Sequence, residues 1–461
     1  MTRRTAMAVQ GTGKATLLAA AAACGGFLFG FDTSTMNSAI NGIAPSLALS
    51  SGQVGFVTAI ALIGAAVGAW FAGGISARFG RDRVMVGAGA LIAAGSVLAA
   101  LADDVWVLGA VRILAGLGIG AASAVVPAYV SEISPVQIRG RLGTFWQFAI
   151  VFGQFLGLLS GYLLASLGGG SESGSVPWGG AAWRWMFAVV AVLGLAYVVM
   201  GLRLPASPAD LVRFQRYDDA AQMMTELGDE APKERITAMR AQLDEDRSKA
   251  GLAALRGNRM GLKTIVWVGV LLAAFQQLVG INVVKTYSNA VWQSVGVPVD
   301  ASFMVSLITV GVSIVSTVIA IAIMDRVGRR TLLIAGALGM VPSLATLAIV
   351  FGSAVGEPSL TPGSGIAALA AMNVFAVAFG ITWGPVMWLM LGELFDTQLR
   401  TAAVAVCTAV NWLTNWLITR TFPLLADIGL GFAYTLYTVF AVAALVFAWK
   451  MLPETKNRTL D

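Results

Sequence analysis

Twelve mostly apolar runs, each of about 20 residues or more, dominate the chain: about 17–40, 54–76, 84–102, 105–130, 142–167, 184–204, 262–295, 301–324, 331–352, 365–392, 401–424 and 430–452. A helix needs about 20 such residues to cross the hydrocarbon core of a bilayer. Inside that core each backbone N–H and C=O must find a partner within the protein, and a helix supplies all of them locally. The runs therefore predict transmembrane α-helices. Composition agrees: only 12% of the 461 residues are charged, against about 25% in a soluble domain. The 53 glycines suit helices that pack closely in lipid.

The residues that are missing exclude whole classes of chemistry. With no histidine, neither a Ser-His-Asp nor a Cys-His triad can form, and no imidazole can hold a metal. The two cysteines, Cys24 and Cys407, sit in apolar runs far apart, so neither a disulfide framework nor a thiolate cluster is expected. No nucleophile, acid–base pair or ligand cluster converges. The chain reads as a non-enzyme with no catalytic residues, no metal and no cofactor.

Charge placement sets the topology. With both termini cytoplasmic, all but four of the 30 basic residues fall on or near the inner side, the exceptions being Arg112, Arg184, Lys285 and Arg420. Asp103, Asp104, Glu172, Asp300 and Glu357 mark the outer loops. The net charge of +6 is thus an orientation signal and calls for no nucleic acid. The basic N-terminus with Ala22-Ala23-Cys24-Gly25 has a leader-like look, but its apolar run continues through Phe27, Phe29 and Phe31 to Ile40, which favours a span. Residues 168–182 read as a flexible outer loop.

One long polar stretch, 205–261, carries nine basic and ten acidic residues. Leu211, Met223, Met224, Leu227 and Leu243 recur in it at roughly helical spacing, predicting short amphipathic helices in a cytoplasmic linker. The chain divides into a six-helix half (1–204), the linker (205–261), a second six-helix half (262–452) and a cytoplasmic tail (453–461). The halves repeat. Arg78-Phe79-Gly80-Arg81-Asp82-Arg83 after span 2 answers Asp325-Arg326-Val327-Gly328-Arg329-Arg330 after span 8. Glu132, Gln137 and Arg139 after span 4 recur as Glu393, Gln398 and Arg400 after span 10. Duplicated halves are an architecture of secondary transporters.

Asp32 is the one acid well inside an apolar span. A carboxylate at that depth is functional or paired, and Arg112 in span 4 is its natural partner. A nearby cation keeps such an acid ionised until a proton or a conformational change intervenes; a purely structural ion pair is the alternative. Uncharged amides also collect in the spans, with Gln147 in span 5, Gln276, Gln277 and Asn282 in span 7, and Asn411 in span 11. Amides match sugar hydroxyls, being donors and acceptors at once, or serve as glue between helices. Gln276 and Gln277 are adjacent and cannot face one point on a regular helix, so unwinding near Gly280 is expected. Gly380, Gly384 and Pro385 similarly predict an interruption in span 10. Trp388 and Trp412 either cover a sugar ring or pack in the core.

In order along the chain stand Gly26-Phe-Leu-Phe-Gly-Phe-Asp32, the two arginine–glycine loops, Glu132 through Arg139-Gly140-Arg141, Gln147 to Gln154 and Trp183-Arg184-Trp185. They continue with Gln276-Gln277-Leu-Val-Gly-Ile-Asn282, Gly384-Pro385-Val-Met-Trp388, Glu393, Arg400, Asn411-Trp412 and Pro453-Glu454-Thr455-Lys456. From about Gly25 to Leu460 the chain resembles the sugar porters of the major facilitator superfamily, and among them bacterial proton-coupled sugar symporters. The resemblance implies an all-α membrane protein of twelve transmembrane helices in two pseudo-symmetric six-helix bundles. It implies Asp32 as proton acceptor tuned by Arg112, since passive relatives carry a neutral residue there. Sugar contacts fall to Gln147, Gln276, Gln277, Asn282, Trp388, Asn411 and Trp412. An inner gate holding the outward-open state would comprise Arg81, Glu132, Arg139, Arg329, Arg330, Glu393 and Arg400.

The chain also departs from that pattern. Ala77 replaces an aspartate or asparagine, and Pro205-Ala206-Ser207-Pro208-Ala209-Asp210 lacks the glutamate and arginine of the corresponding motif. Asn411 stands where glutamine is common, and Ser313 lies where an asparagine is frequent. After Asn282 the outer gate reads Lys285, Thr286, Tyr287 where aromatics are usual. Lys285 either snorkels to the outer headgroups or adds a charge to the pathway. The expected function is import of a monosaccharide, hexose or pentose, with a proton, by a monomer in the bacterial cell membrane. A passive sugar or polyol facilitator and a non-transporting sugar sensor are the alternatives.

Overall fold

The computed structural model describes residues 3–135, 138–229, 231–248, 255, 257, 262–324, 326–354, 359–395 and 397–455. Six long helices come first: α1 (Arg3–Ser46), α2 (Ser51–Phe79), α3 (Arg81–Ala100), α4 (Val105–Ile133), α5 (Arg139–Leu167) and α6 (Ala182–Gly201). Three shorter ones follow in the linker: α7 (Pro208–Arg213), α8 (Tyr217–Glu226) and α9 (Pro232–Ser248). Then come α10 (Thr264–Leu278), α11 (Ile281–Thr286), α12 (Ser288–Ser294), α13 (Val299–Ile323), α14 (Arg329–Ser353), α15 (Pro362–Ile381), α16 (Trp383–Leu394), α17 (Thr397–Ile428) and α18 (Leu430–Lys450). Among the described residues, 12 segments are long and apolar enough to cross a membrane, α10–α11 and α15–α16 each forming one crossing. Their order matches the twelve expected runs, α1 being the most extended beyond its expected bounds.

Local chemistry starts these helices where they start. The Ser50 hydroxyl accepts the Gln53 N–H, and the Gln53 side chain accepts the Ser50 N–H at 2.9 Å, a reciprocal cap on α2. The Asp104 carboxylate accepts the N–H groups of Trp106 and Val107 and opens α4.

In the first bundle α1 packs on α5, α2 on α4, and α3 on both α4 and α6. Backbones meet closely: a β-carbon at Gly120 would overlap the Ala65 carbonyl oxygen, and one at Gly153 that of Phe27. Small residues at such crossings supply the dispersion contact that holds membrane helices together. In the second bundle α14 packs on α15 and α18, and α10 on α17. The bundles meet through α2 against α17 and α5 against α13. Spans 2 and 11 exchange with spans 8 and 5 under the six-span repeat, so the two contacts are symmetry mates.

The linker does not hang free between the halves. Leu211, Val212, Met223, Met224, Leu227 and Ile236 join a core with Val84, Met85, Tyr129, Val130 and Ile133 of the first bundle. The expected short helices are present, docked on one half; the Leu243 side chain lies outside the described residues.

Candidate functional site

Span 7 breaks at Gly280 as expected, although not for the expected reason: Gln276 and Gln277 precede the break on regular α10 and both reach Asn411 from it. Gly280 adopts φ 84°, a left-handed conformation that ends α10 and starts α11 in a new direction. That turn carries Asn282 onto the three amides of Gln276, Gln277 and Asn411. Gln277 Nε2 donates to Gln276 Oε1 at 2.8 Å and to Asn411 Oδ1 at 3.0 Å. Asn282 Nδ2 donates to Gln277 Oε1 at 2.7 Å, and Asn411 Nδ2 to Gln276 Oε1 at 2.8 Å and Ala273 O at 3.0 Å. These bonds leave the Gln276 amino group and Asn282 Oδ1 as open hydrogen-bonding capacity, held in fixed orientation. Span 10 is also interrupted, at Thr382, whose φ of −120° and ψ of −86° separate α15 from α16.

Asp32 and Arg112 form a bidentate pair, Nη1 to Oδ1 at 2.6 Å and Nη2 to Oδ2 at 2.9 Å. Both are buried. The guanidinium also lies over the Phe187 ring, 5.6 Å from its centroid. The pair opens onto a cavity of about 50 Å³ that it shares with Phe29, Thr58, Asn282, Thr286, Trp412, Asn415 and Thr419. That is room for a few waters, and it joins the ion pair of the first half to the amide-bearing helix of the second. Trp412 is buried, its ring 6.0 Å from that of Phe29.

Not every expected residue converges there. Gln147 is half-buried on α5 and Trp388 is 43% exposed on α16, and neither lines this cavity; Gln276, Gln277 and Asn411 do not line it either, and of the expected sugar contacts only Asn282 and Trp412 do. Of the expected outer-gate residues, Thr286 does line it, while Tyr287 is buried and donates its hydroxyl to Thr419 O at 2.9 Å. Lys285 Nζ does not reach a headgroup level; it donates to Gln154 Oε1 at 3.3 Å, and Gln154 sits midway along α5.

Hydrogen bonds cross between the halves at several points. They include Lys285 to Gln154, Asn289 N–H to Asn37 Oδ1 at 3.1 Å, Gln293 to Glu172 at 3.0 Å and Ser51 to Asp427 at 2.9 Å. The first lies at mid-depth, the others toward the end of the bundle opposite the termini.

At the terminus-bearing end the charged loops bond within each half. Arg81 reaches Glu132 at 2.5 Å and Asp210 at 2.7 Å, while Asp210 also accepts the Arg81 N–H at 2.8 Å. In the second half Arg329 reaches Glu393 at 3.1 Å, and Glu454 accepts the Arg329 N–H at 2.8 Å. Arg330 Nη2 donates to Trp449 O and its N–H to Glu454. The side chains of Arg139, Gln398 and Arg400, and all of Gln137 and Lys456, lie outside the described residues. Two members went unread in the sequence. Asp210 belongs to a segment that looks like a degraded motif, yet it is fully buried and does for α3 what Glu454 does for α14. Gln154 was visible as the second glutamine of a seven-residue spacing, two turns from Gln147.

The family model for sugar (and other) transporters matches residues 18–461. The chain belongs to that family. It is similar to the glucose transport protein of Synechocystis sp. (41% identical over 450 residues, 96% of both chains). It is also similar to the D-xylose-proton symporter of Escherichia coli K12 (33% identical over 475 residues, 95% of this chain and 93% of that one). Among solved structures, the xylose transporter of E. coli in a partially occluded inward-open conformation superimposes with a TM-score of 0.82 at 31% identity, over 96% of this chain and 99% of that one. This sugar porter has the major facilitator fold and is a multi-pass membrane transporter, not an enzyme.

Proposed function

We propose that the transporter imports a monosaccharide together with a proton, by alternating access, in a bacterial cell membrane with both termini cytoplasmic. The observation that carries this reading is the cavity shared by the Asp32–Arg112 pair and Asn282. A titratable carboxylate of one half and Asn282, one member of the amide cluster of the other, line it together, and Asn282 is bonded to Gln277 behind it. Protonation of Asp32 converts an ion pair into a neutral acid beside a cation and so changes what ties α1 to α4. A sugar bridging Gln276, Gln277, Asn282 and Asn411 on one side to Gln147 on the other ties the halves together; Trp388 and Trp412 flank its ring. Two relatives support the substrate class, one a glucose transport protein and the other a D-xylose-proton symporter.

The crossing bonds near the terminus-distal end make that end the closed one, which in this topology is the outside. The structure is then an inward-facing state. The near-end pairs Arg81–Glu132 and Arg329–Glu393, with Arg330, Arg139 and Arg400, are the parts of an inner latch that join across the halves only when the outer side opens.

Purified protein in liposomes, given an inward proton gradient, should accumulate labelled D-glucose or D-xylose above equilibrium. Asp32→Asn should equilibrate the sugar and go no further. Accumulation by Asp32→Asn against a sugar gradient would sink the coupling assignment, and wild-type protein that binds sugar without moving it would point to a sensor.

A further inference from the structure

Among the described residues, Lys285 is a cation without an anion. Its ammonium has three donors, and its one hydrogen-bond partner among the described residues is a neutral amide oxygen, Gln154 Oε1 at 3.3 Å. The carboxylate of the cavity, Asp32, is committed to Arg112 through both oxygens. The next cation outward on the same half is Arg420, immediately after the cavity residue Thr419, and its Nη1 is buried with no hydrogen-bond partner. The acids further outward, Glu172 and Asp427, are bonded to Gln293 and Ser51, so neither cation has an ion-pair partner among the described residues. An uncompensated charge at mid-membrane depth is costly and is retained where something pairs with it.

The placement of Lys285 says what that something would touch. On α11 it follows Asn282 by three residues, so the two side chains share a helix face, and Asn282 lines the cavity and belongs to the amide cluster. Its partner Gln154 follows Gln147 by seven residues on α5, two turns away on the same face. Lys285 thus spans from the amide-bearing face of one half to the amide-bearing face of the other.

We infer that the monosaccharide this transporter takes carries a carboxylate, as an aldonic or uronic acid does, with Lys285 as its counter-ion and the amides reading its hydroxyls. This rests on the reading of the cavity as a monosaccharide site. On binding, the carboxylate replaces Gln154 as the ammonium's partner, and a charge-assisted bond takes the place of a long neutral one.

The test is titration of the full-length protein in nanodiscs with D-glucuronate, D-gluconate, D-glucose and D-xylose, followed by calorimetry. At least one of the two acids should bind ten times more tightly than either neutral sugar. That ratio should fall at least tenfold in Lys285→Gln and survive in Lys285→Arg. The acid's advantage should also shrink as salt rises, a readout that needs no variant. A wild-type ratio below tenfold overturns the inference and leaves the monosaccharide reading standing if the neutral sugars bind. A ratio that Lys285→Gln does not move removes Lys285 from the recognition. Binding of none of the four overturns both readings.

Discussion

The Asp210 carboxylate accepts the Arg81 N–H at 2.8 Å and bonds the same residue's guanidinium at 2.7 Å. It therefore caps α3 from the linker while holding one side of an arginine whose other side is held by Glu132. Negative charge at a helix N-terminus is favourable in itself, and burial strengthens the ion pair.

Removing that carboxylate should matter more than removing any exposed acid. Asp210→Ala strips a half-buried arginine of one counter-charge and α3 of its cap, a loss of about 3 kcal/mol. Asp219→Asn, in the exposed pair with Arg216, should cost under about 0.5 kcal/mol. Thermal unfolding of the two variants in detergent compares them directly. Equal midpoints would mean that Asp210 is not the cap the geometry makes it.

Asn411 makes two donor bonds and accepts a third within the amide cluster. Truncation to alanine leaves the Gln277 and Gln276 amides free to reorient, at a cost of about 1–2 kcal/mol in ligand binding, or roughly a tenfold rise in sugar Kd. Asn411→Gln adds a methylene and should change the ranking of sugars rather than abolish binding. Competition binding against a panel of hexoses and pentoses separates these outcomes; an unchanged ranking and Kd in both variants would remove Asn411 from the site.

Gly280 is held to glycine twice over. Its φ of 84° disfavours any β-carbon, and a β-carbon there would approach the Tyr437 ring at 3.0 Å. Gly280→Ala should lower stability by about 1–2 kcal/mol. It should also weaken sugar binding, because the turn sets the angle between Gln277 and Asn282. Gly311→Ala is the control: it is helical and its β-carbon would meet open space. If both variants bind sugar as the wild type does, the turn does not position the amides.

The contrast between Gln277 and Asp210 shows what was legible in the sequence. Twelve runs, their order and the internal repeat follow from composition and spacing; the break near Gly280 was expected from the paired glutamines, yet these both reach Asn411 from unbroken α10, and it is Asn282 that the turn positions. The Asp32–Arg112 pair was legible because charge is so scarce in the spans that each buried acid has few partners to choose from. Asp210 was not, because its role depends on where a polar linker docks, and the amphipathic pattern of Leu211, Met223 and Met224 predicts a helix without naming the surface it covers. The same holds for Lys285. Sequence left it free to reach outward or inward, and only the rotation of α11 after Gly280 turns its ammonium to Gln154. Gln147 and Trp388 mark the opposite case, residues named by motif that lie outside the cavity in this state.

Alternating access requires the terminus-distal contacts to part in every cycle. Ser51 and Asp427 lie one on each half, their side chains 2.9 Å apart, and both begin or end helices at that surface. In a background with Cys24 and Cys407 replaced, the pair Ser51→Cys and Asp427→Cys should form a disulfide that staples α2 to α17. Oxidation should reduce sugar exchange at least tenfold and leave the inner side permanently accessible to a membrane-impermeant thiol probe placed near Trp388. Reduction should restore exchange, since the substitutions lie outside the amide cluster and the Asp32 pair. Oxidised protein that still exchanges sugar at the reduced rate would show that the halves do not separate at this contact, and the rocking motion would have to pivot elsewhere.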